Sequence, residues 1–326
     1  MTIRIAINGL GRIGRSILRL LATEKSDGFE LVALNDIAAP ELVAYLLKYD
    51  TVFGLYPGEV SHTDDALILN GHHIPLTQHP DISGINLNGV DLLLECTGKA
   101  DTREWAERGL KAGAQKVLIS GPSPEADLTF VMGANDAALK NQTIVSNASC
   151  TTNALAPTLK LLDDHYGLVS GHMTTIHCYT GSQPTVDAPR GDMVRSRAAA
   201  LSMIPTTTSA ATLADLVLPD LADKVTSHSV RVPTASVSAV DLIVQLENCP
   251  DTDTANAMLR AAPAPVFAHT NDRVVSSDLR AHPASIIFAT PETSRVGKDM
   301  LRVFGWYDNE WGFSNRMLDV ARLMIP

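Results

Sequence analysis

The sequence predicts an α/β protein of two domains. A Rossmann-type doubly wound parallel sheet comes first, then an α+β domain with a largely antiparallel sheet. Three observations carry this. A Gly-x-Gly-x-x-Gly pattern stands directly between an apolar strand-like run and a helical one near the N-terminus. Strand-like and helical patterns then alternate as far as Cys150. Beyond it, long β-prone runs follow one another with few helices between them.

Taken in order, Ile3–Ile7 is a buried strand, and Asn8-Gly9-Leu10-Gly11-Arg12-Ile13-Gly14-Arg15 follows at once. Helical spacing then runs through Ile17, Leu18, Leu20 and Leu21. Gly9 permits the tight turn, Gly11 lets backbone approach a pyrophosphate, and Gly14 allows close packing of helix on strand. A second strand, Glu30–Leu34, ends at Asn35-Asp36, with Asp36 22 residues beyond Gly14. An acid there suits the 2′-hydroxyl of an adenosine ribose and repels a 2′-phosphate, which points to NAD. A helix near Pro40–Tyr49 precedes short β-like runs at Ala66–Leu69 and His72–Leu76. Histidines 62, 72, 73 and 79 gather here without a carboxylate or Cys in the pattern, so they read as surface residues and no metal is expected. Val90–Glu95 is a strand leading to Cys96-Thr97-Gly98, a helix runs to Ala112, and Lys116–Ser120 is another strand.

The second half offers β-prone runs at Gly167–Tyr179, Val225–Val232, Ser236–Glu247, Arg273–Ser276, Ser285–Phe288 and Leu301–Tyr307. Helices are expected near Ser209–Val217, Thr254–Ala261 and Gly312–Met324. Gly181–Pro205 is irregular, and a segment of that length in a compact protein is usually functional or disordered.

Composition narrows the function classes. At 326 residues the chain is long enough for two cores, and 45% hydrophobic with 19% charged residues is ordinary for a soluble globular protein. No apolar run approaches a membrane span, and the N-terminus enters a strand directly, so a cytoplasmic protein without a signal peptide is expected. A net charge of −10 disfavours nucleic acid or an anionic membrane as main partner. Cys96, Cys150, Cys178 and Cys249 show no metal spacing and no disulfide framework.

One stretch organises the chain: Ser146-Asn147-Ala148-Ser149-Cys150-Thr151-Thr152-Asn153, between β-like Gln142–Val145 and amphipathic Ala154–Tyr166. Strand, turn and helix put Cys150 on a first helical turn, where unpaired N–H groups and the dipole favour an anion. A thiol so placed is expected to ionise more easily, and its thiolate is the nucleophile. His177 closes the strand Thr174–His177. Alone, a strand-end His is more often structural, and Arg195, Arg197 and Arg231 are by default solvated or ion-paired. Together with a nucleophilic Cys and a dinucleotide loop, they suggest oxidation of a phosphorylated aldehyde.

At these residues the sequence closely resembles the phosphorylating glyceraldehyde-3-phosphate dehydrogenase family, essentially end to end. The carrying motifs are Ile7–Arg15, Ser146–Asn153, Met173–His177, Arg231-Val232-Pro233-Thr234 and Trp306-Tyr307-Asp308-Asn309-Glu310. The resemblance implies an NAD-binding domain of residues 1–149 and 312–326 and a catalytic domain of residues 150–311. It implies NAD-dependent oxidation of D-glyceraldehyde 3-phosphate, with inorganic phosphate, to 1,3-bisphosphoglycerate, a reversible step of glycolysis and gluconeogenesis. Cys150 would attack the aldehyde and carry a thioester, and His177 would act as base. Gly9, Gly11, Arg12, Ile13, Gly14, Asp36, Thr97, Ser120 and Asn309 would bind the cofactor, Asn309 at the nicotinamide carboxamide. Arg231, Thr180 and Arg195 would hold the substrate's C3 phosphate, and Ser149, Thr151, Thr208 and Arg195 inorganic phosphate, with Arg195 assignable to either. The Gly181–Pro205 segment is similar to the family's S-shaped loop, which packs between subunits of a homotetramer.

Some positions depart from the commonest pattern: Ser209 for Gly, Pro184 at an often basic position, Phe313 for Tyr, Ser182 for an acid, and Ala154. Leu161–Asp164 and Trp311–Asp319 look like the erythrose-4-phosphate dehydrogenase branch, whereas Thr180 and Thr206–Thr208 look like the triose enzyme, which is favoured. A non-catalytic scaffold paralogue is the alternative from another class. Its sign would be loss of Cys150, His177 or the arginines, and all are present. An NADPH-linked photosynthetic member is disfavoured, since no cysteine-bearing tail follows Met324.

Overall fold

The computed structural model describes residues 2–23 and 27–325; Met1 and Pro326, included in the expected domain bounds, lie outside the described residues. The chain divides into two units. Unit 1 is Met1–Phe130, Asp136–Ala148 and Ser314–Pro326, and unit 2 is Val131–Asn135 and Ser149–Phe313.

In unit 1, β1 (Ile3–Asn8) is followed by α1 (Arg12–Thr23), β2 (Phe29–Asn35) and α2 (Pro40–Lys48). A ribbon of β3 (Tyr49–Asp50) and β4 (Gly54–Leu55) leads to β5 (Val60–His62), β6 (Ala66–Leu69) and β7 (His72–Thr77). Then come β8 (Leu92–Glu95), the short helices α3 (Arg103–Ala106) and α4 (Arg108–Lys111), β9 (Lys116–Ile119), β10 (Leu128–Thr129) and β11 (Ile144–Ser146). The sheet order is β10-β11-β9-β8-β1-β2-β7-β6-β5. Pairing is parallel from β10 through β7, and the β7–β6 and β6–β5 pairs at one edge are antiparallel, so β6 alone is reversed.

Strands buried on both faces carry unbroken apolar runs, and Leu92, Leu93 and Leu94 are all buried. From β1 the sheet grows one way through β2 and β7, and β8 starts growth the other way. That reversal opens a crevice beyond the carboxyl ends of β1 and β8, where doubly wound sheets take their ligands.

The glycine loop is fitted into this crevice. Gly9 has φ +92°, and a Cβ on it would lie 2.8 Å from the Cys96 carbonyl carbon and the Thr97 nitrogen after β8. A Cβ on Gly14 would lie only 2.1 Å from the Gly9 carbonyl oxygen, so helix and loop close on each other only through glycine.

Unit 2 begins with α5 (Cys150–Tyr166) and β12 (Leu168–Cys178), then β13 (Ile204–Thr206), α6 (Ala210–Val217), β14 (Val225–Val232), β15 (Ser238–Leu246) and α7 (Thr252–Ala261). It continues with β16 (Phe267–Thr270), β17 (Ile286–Ala289), β18 (Ser294–Val296) and β19 (Met300–Tyr307); α8 (Trp311–Met324) ends the chain's regular structure and belongs to unit 1 from Ser314 on. The sheet order is β13-β14-β12-β15-β19-β17-β16, with β18 also on β19. Its pairs are antiparallel except β12 with β14 and β16 with β17.

Three local expectations change. The helix expected to reach Ala112 is broken at Glu107 into α3 and α4. Arg273–Ser276 is no strand: the Val275 N–H is taken by the Asp278 carboxylate at 2.9 Å, which starts a 3₁₀ turn at Ser276–Leu279. The irregular Gly181–Pro205 segment holds a 3₁₀ turn at Val194–Ser196, and β13 starts at Ile204. Among the described residues no helix is long and apolar enough to cross a membrane, and no group of His, Cys, Asp or Glu could hold a metal ion.

Gly14→Ala tests the closeness of helix and loop. Overpacking against the Gly9 carbonyl should cost about 1–3 kcal/mol, read as a lower melting temperature. A variant as stable as the parent would mean that α1 and the loop can move apart freely.

Candidate active site

Of the sequence-predicted cofactor residues, Gly9, Gly11, Arg12, Ile13, Gly14, Asp36, Thr97 and Ser120 belong to unit 1, where they follow the carboxyl ends of β1, β2, β8 and β9, and Asn309 belongs to unit 2. Leu10 donates its N–H to the Asp36 carboxylate at 2.5 Å, and Ala38 donates to the other oxygen at 2.8 Å. Asp36 therefore sits clamped at the end of β2, beside the loop. A Cβ on Gly11 would meet nothing within 4 Å, so the loop presents open space at the one glycine meant to admit a pyrophosphate. These features fit a dinucleotide. The Arg12 guanidinium pairs with Asp50 and lies 5.4 Å from the Phe53 ring centre, so Arg12 offers a ligand its first-turn backbone rather than its charge.

Thr97 and Ser120 are held by a group that the sequence reading missed. Buried Glu95 accepts the Thr97 N–H at 2.9 Å and also the Thr97 hydroxyl, and its own carbonyl accepts the Ser120 N–H at 2.9 Å. Asn8 donates to Glu95 at 2.6 Å and in turn accepts from Asn35 at 2.9 Å. Burial raises the Glu95 carboxyl above the usual range, against these hydrogen bonds. A carboxylate closing the apolar run Leu92–Leu94 was the available signal.

In unit 2, Ser149 caps α5 by accepting the Thr152 N–H at 3.0 Å, which sets Cys150 as the first helical residue. The Cys150 sulfur stands 3.7 Å from His177 Nε2. The parallel register of β12 and β14 pairs His177 with Arg231, so the two side chains are neighbours by construction. His177 Nδ1 lies 2.7 Å from the Cys178 carbonyl oxygen and Arg231 Nη1 lies 3.0 Å from the same oxygen. The carbonyl accepts from both. Arg231 Nη1 also lies 2.9 Å from Nδ1 itself, so the tautomer is an assignment: a carbonyl can only accept, and with the proton placed on Nδ1 and Arg231 donating to the carbonyl, Nε2 is the acceptor facing the thiol.

The electrostatics correct one expectation. The helix start was expected to lower the Cys150 thiol, but burial outweighs it and pushes the thiol up, against the Thr151 hydroxyl and the Arg231 charge. His177 is only 5% exposed, and burial followed by the Arg231 charge lowers it to about 4. The resting pair is a thiol beside a neutral imidazole.

Around this pair lies a cavity of roughly 380 Å³ whose lining includes Arg195, Thr208, Ser209 and Arg231. Ser149 and Thr151 border it too. Arg195 is braced by the Thr206 hydroxyl at 2.6 Å and the Thr207 carbonyl at 2.9 Å. Two arginines and several hydroxyls around one hollow make an anion site. Thr180 does not line it; it borders a separate depression of roughly 250 Å³ with Tyr179 and Gln183. Tyr307, not foreseen as a site residue, joins Thr151 at 2.9 Å and Thr175 at 2.8 Å through its hydroxyl.

The comparisons agree with this chemistry. The family model "Glyceraldehyde 3-phosphate dehydrogenase, NAD binding domain" matches residues 3–103, and "Glyceraldehyde 3-phosphate dehydrogenase, C-terminal domain" matches residues 149–309. The chain is 45% identical to the glyceraldehyde-3-phosphate dehydrogenase of Cereibacter sphaeroides, covering 99% of both chains. It is 45% identical to that of Pseudomonas aeruginosa and 42% identical to that of Geobacillus stearothermophilus, each over 98% of both chains.

The buried neutral His177 has a stability signature. Unfolded, it takes a proton below its ordinary value of 6.5, whereas folded it stays neutral down to about 4. Stability should fall as pH drops through that window, by at most about 3 kcal/mol. His177→Asn should lose less melting temperature than the parent between about pH 7 and about pH 4. Equal losses would show that His177 is not held neutral.

Proposed function

The chain belongs to the glyceraldehyde-3-phosphate dehydrogenase family, and on that premise we propose that it oxidises D-glyceraldehyde 3-phosphate with inorganic phosphate to 1,3-bisphosphoglycerate. The carrying observation is the single cavity shared by thiol, imidazole and two arginines. NAD is the cofactor, and when bound it supplies the hydride acceptor. The names of the relatives do not favour the erythrose 4-phosphate reading.

The residues act as follows. The Cys150 sulfur bonds to the aldehyde carbon while its proton passes to His177 Nε2, for which the imidazole's tautomer is already set. The aldehyde oxygen takes that proton from Nε2, and the hemithioacetal hydroxyl later returns it to the same nitrogen as the carbon loses hydride. A thioester on Cys150 remains. The Cys150 backbone N–H, at the start of α5, is a donor for the oxyanion. Inorganic phosphate attacks the thioester carbon, the C–S bond breaks, and the acyl phosphate leaves a thiolate that recovers its proton. Arg231 and Thr180 would hold the C3 phosphate and Ser149, Thr151 and Thr208 the inorganic one, with Arg195 able to serve either. Arg231 and Arg195 are supported by their place in the cavity, whereas for Thr180 resemblance alone is the support.

Assembly as a homotetramer is part of this reading. Val186, Met193, Leu201 and Met203 are more than two-thirds exposed, all within or just beside the irregular segment, and another copy of the chain would cover them. A cytoplasmic location is supported by four free cysteines with no disulfide among them.

Cys150→Ser should abolish dehydrogenase activity, and iodoacetamide should alkylate Cys150 before Cys96, Cys178 or Cys249, as peptide mass mapping would read, because its raised thiol has an imidazole nitrogen 3.7 Å away to take the proton. Activity surviving in the serine variant would remove Cys150 as nucleophile.

Ser209 stands at the start of α6, borders the cavity, and makes no side-chain cap bond. Ser209→Gly should therefore change the KM for phosphate, leaving the single-turnover burst of NADH nearly untouched. A changed burst with an unchanged phosphate KM would put inorganic phosphate elsewhere.

A further inference from the structure

The amide of Asn309 is held from one side only. Asn309 follows β19 in a turn built by Asp308, whose carboxylate accepts the N–H groups of Glu310 at 3.0 Å, Trp311 at 2.9 Å and Ala281 at 2.9 Å. The backbone is thus fixed, and the direction of the side-chain amide is what remains to be set. Its oxygen accepts from the Cys178 thiol at 3.0 Å and from the Ser238 hydroxyl at 3.4 Å. Ser238 is itself placed by the pairing of β15 with β19, opposite Tyr307, and its oxygen accepts the Cys178 N–H at 3.1 Å. With that lone pair used, its hydrogen is free for Asn309. Turned over, the amide would set its N–H donors against a thiol sulfur, a weak acceptor, and orphan the Ser238 hydrogen.

Burial keeps Cys178 a donor at every working pH, since its thiol is pushed up to about 12. The Asn309 nitrogen, by contrast, donates to none of the described residues, although the side chain is only 7% exposed.

We infer that Cys178 and Ser238 are positioning residues that lock the Asn309 amide oxygen inward and so present its NH₂ to a carbonyl acceptor, the carboxamide oxygen of the dinucleotide. This rests on the NAD reading above. It gives Cys178 a task separate from that of its own carbonyl, which holds His177.

The test measures binding, not turnover. NADH and ADP-ribose, which lacks the nicotinamide, are titrated by calorimetry into the full chain and its variants. Cys178→Ala combined with Ser238→Ala should weaken NADH about tenfold, the worth of a lost buried hydrogen bond or two, and leave ADP-ribose within about twofold. Cys178→Ser, which keeps a donor, should bind NADH within about twofold of the parent. The inference is overturned if the double variant binds NADH like the parent, if ADP-ribose weakens in step with NADH, or if Cys178→Ser behaves like Cys178→Ala. A parent chain that binds neither ligand overturns the NAD reading itself, and this inference with it.

Discussion

The backbone carbonyl of Cys178 is the point on which the chemistry of unit 2 depends. Two donors converge on it, the imidazole Nδ1–H of His177 and the guanidinium of Arg231. An oxygen has two lone pairs, so both can be satisfied when the imidazole is assigned its proton on Nδ1 and Arg231 Nη1, 2.9 Å from that nitrogen, donates to the oxygen instead. With the proton on Nδ1, the other nitrogen faces the thiol of Cys150 as an acceptor. Arg231 is brought there by strand register alone, since β12 and β14 pair His177 with it directly. Base orientation and anion binding are thus two results of one parallel strand pair. A register slip of one residue would turn His177 and Arg231 to the opposite faces of the sheet and lose both.

Unit 1 depends on a steric constraint instead. The loop after β1 must pass within van der Waals contact of the turn after β8, and Gly9 and Gly14 leave no room for side chains. The buried hydrogen-bond chain from Asn35 through Asn8 to Glu95 then ties the ends of β2, β1 and β8 together below the loop. A carboxyl so buried is costly unless its partners are complete. Here they are also the groups that fix Thr97, so one network both satisfies Glu95 and shapes the crevice floor.

Long elements with a clear period were legible in the sequence. β1, β12, β14, β15, β19, α5 and α8 all lie within a few residues of their expected bounds. Short strands were not: β10, β13, β16 and β18 have two to four residues each, too few for alternation to show. Arg273–Ser276 had strand composition, yet the Asp278 carboxylate captured its backbone donor first. Cys150, His177, Arg195 and Arg231 could be named in advance because their chemistry is distinctive. Glu95, Cys178, Ser238 and Tyr307 could not, because their importance lies in which neighbour they touch. Such contacts depend on pairings far apart in the chain, as when Ser238 is set beside Asn309 by the register of β15 and β19.

The raised thiol of Cys150 bears on why the pair is built this way. A helix N-terminus contributes at most about 2 kcal/mol to an anion, whereas removing a thiolate from water costs several kcal/mol. Burial therefore wins in the resting site. The neutral imidazole, lowered by the same burial and by Arg231, is a weak base at rest. Both shifts favour the uncharged pair at rest, where Cys150 itself is only half-buried. When a carbonyl carbon is in reach of the sulfur, negative charge moves from sulfur to the carbonyl oxygen, where the first N–H of α5 can receive it, and the proton moves to a nitrogen already aimed at it. The arginines then have a further consequence. An anionic phosphate held at Arg231, as proposed, would offset the positive charge that opposes protonation of His177 and so make the imidazole a stronger base. On that reading, substrate charge and base strength would be coupled through a single guanidinium.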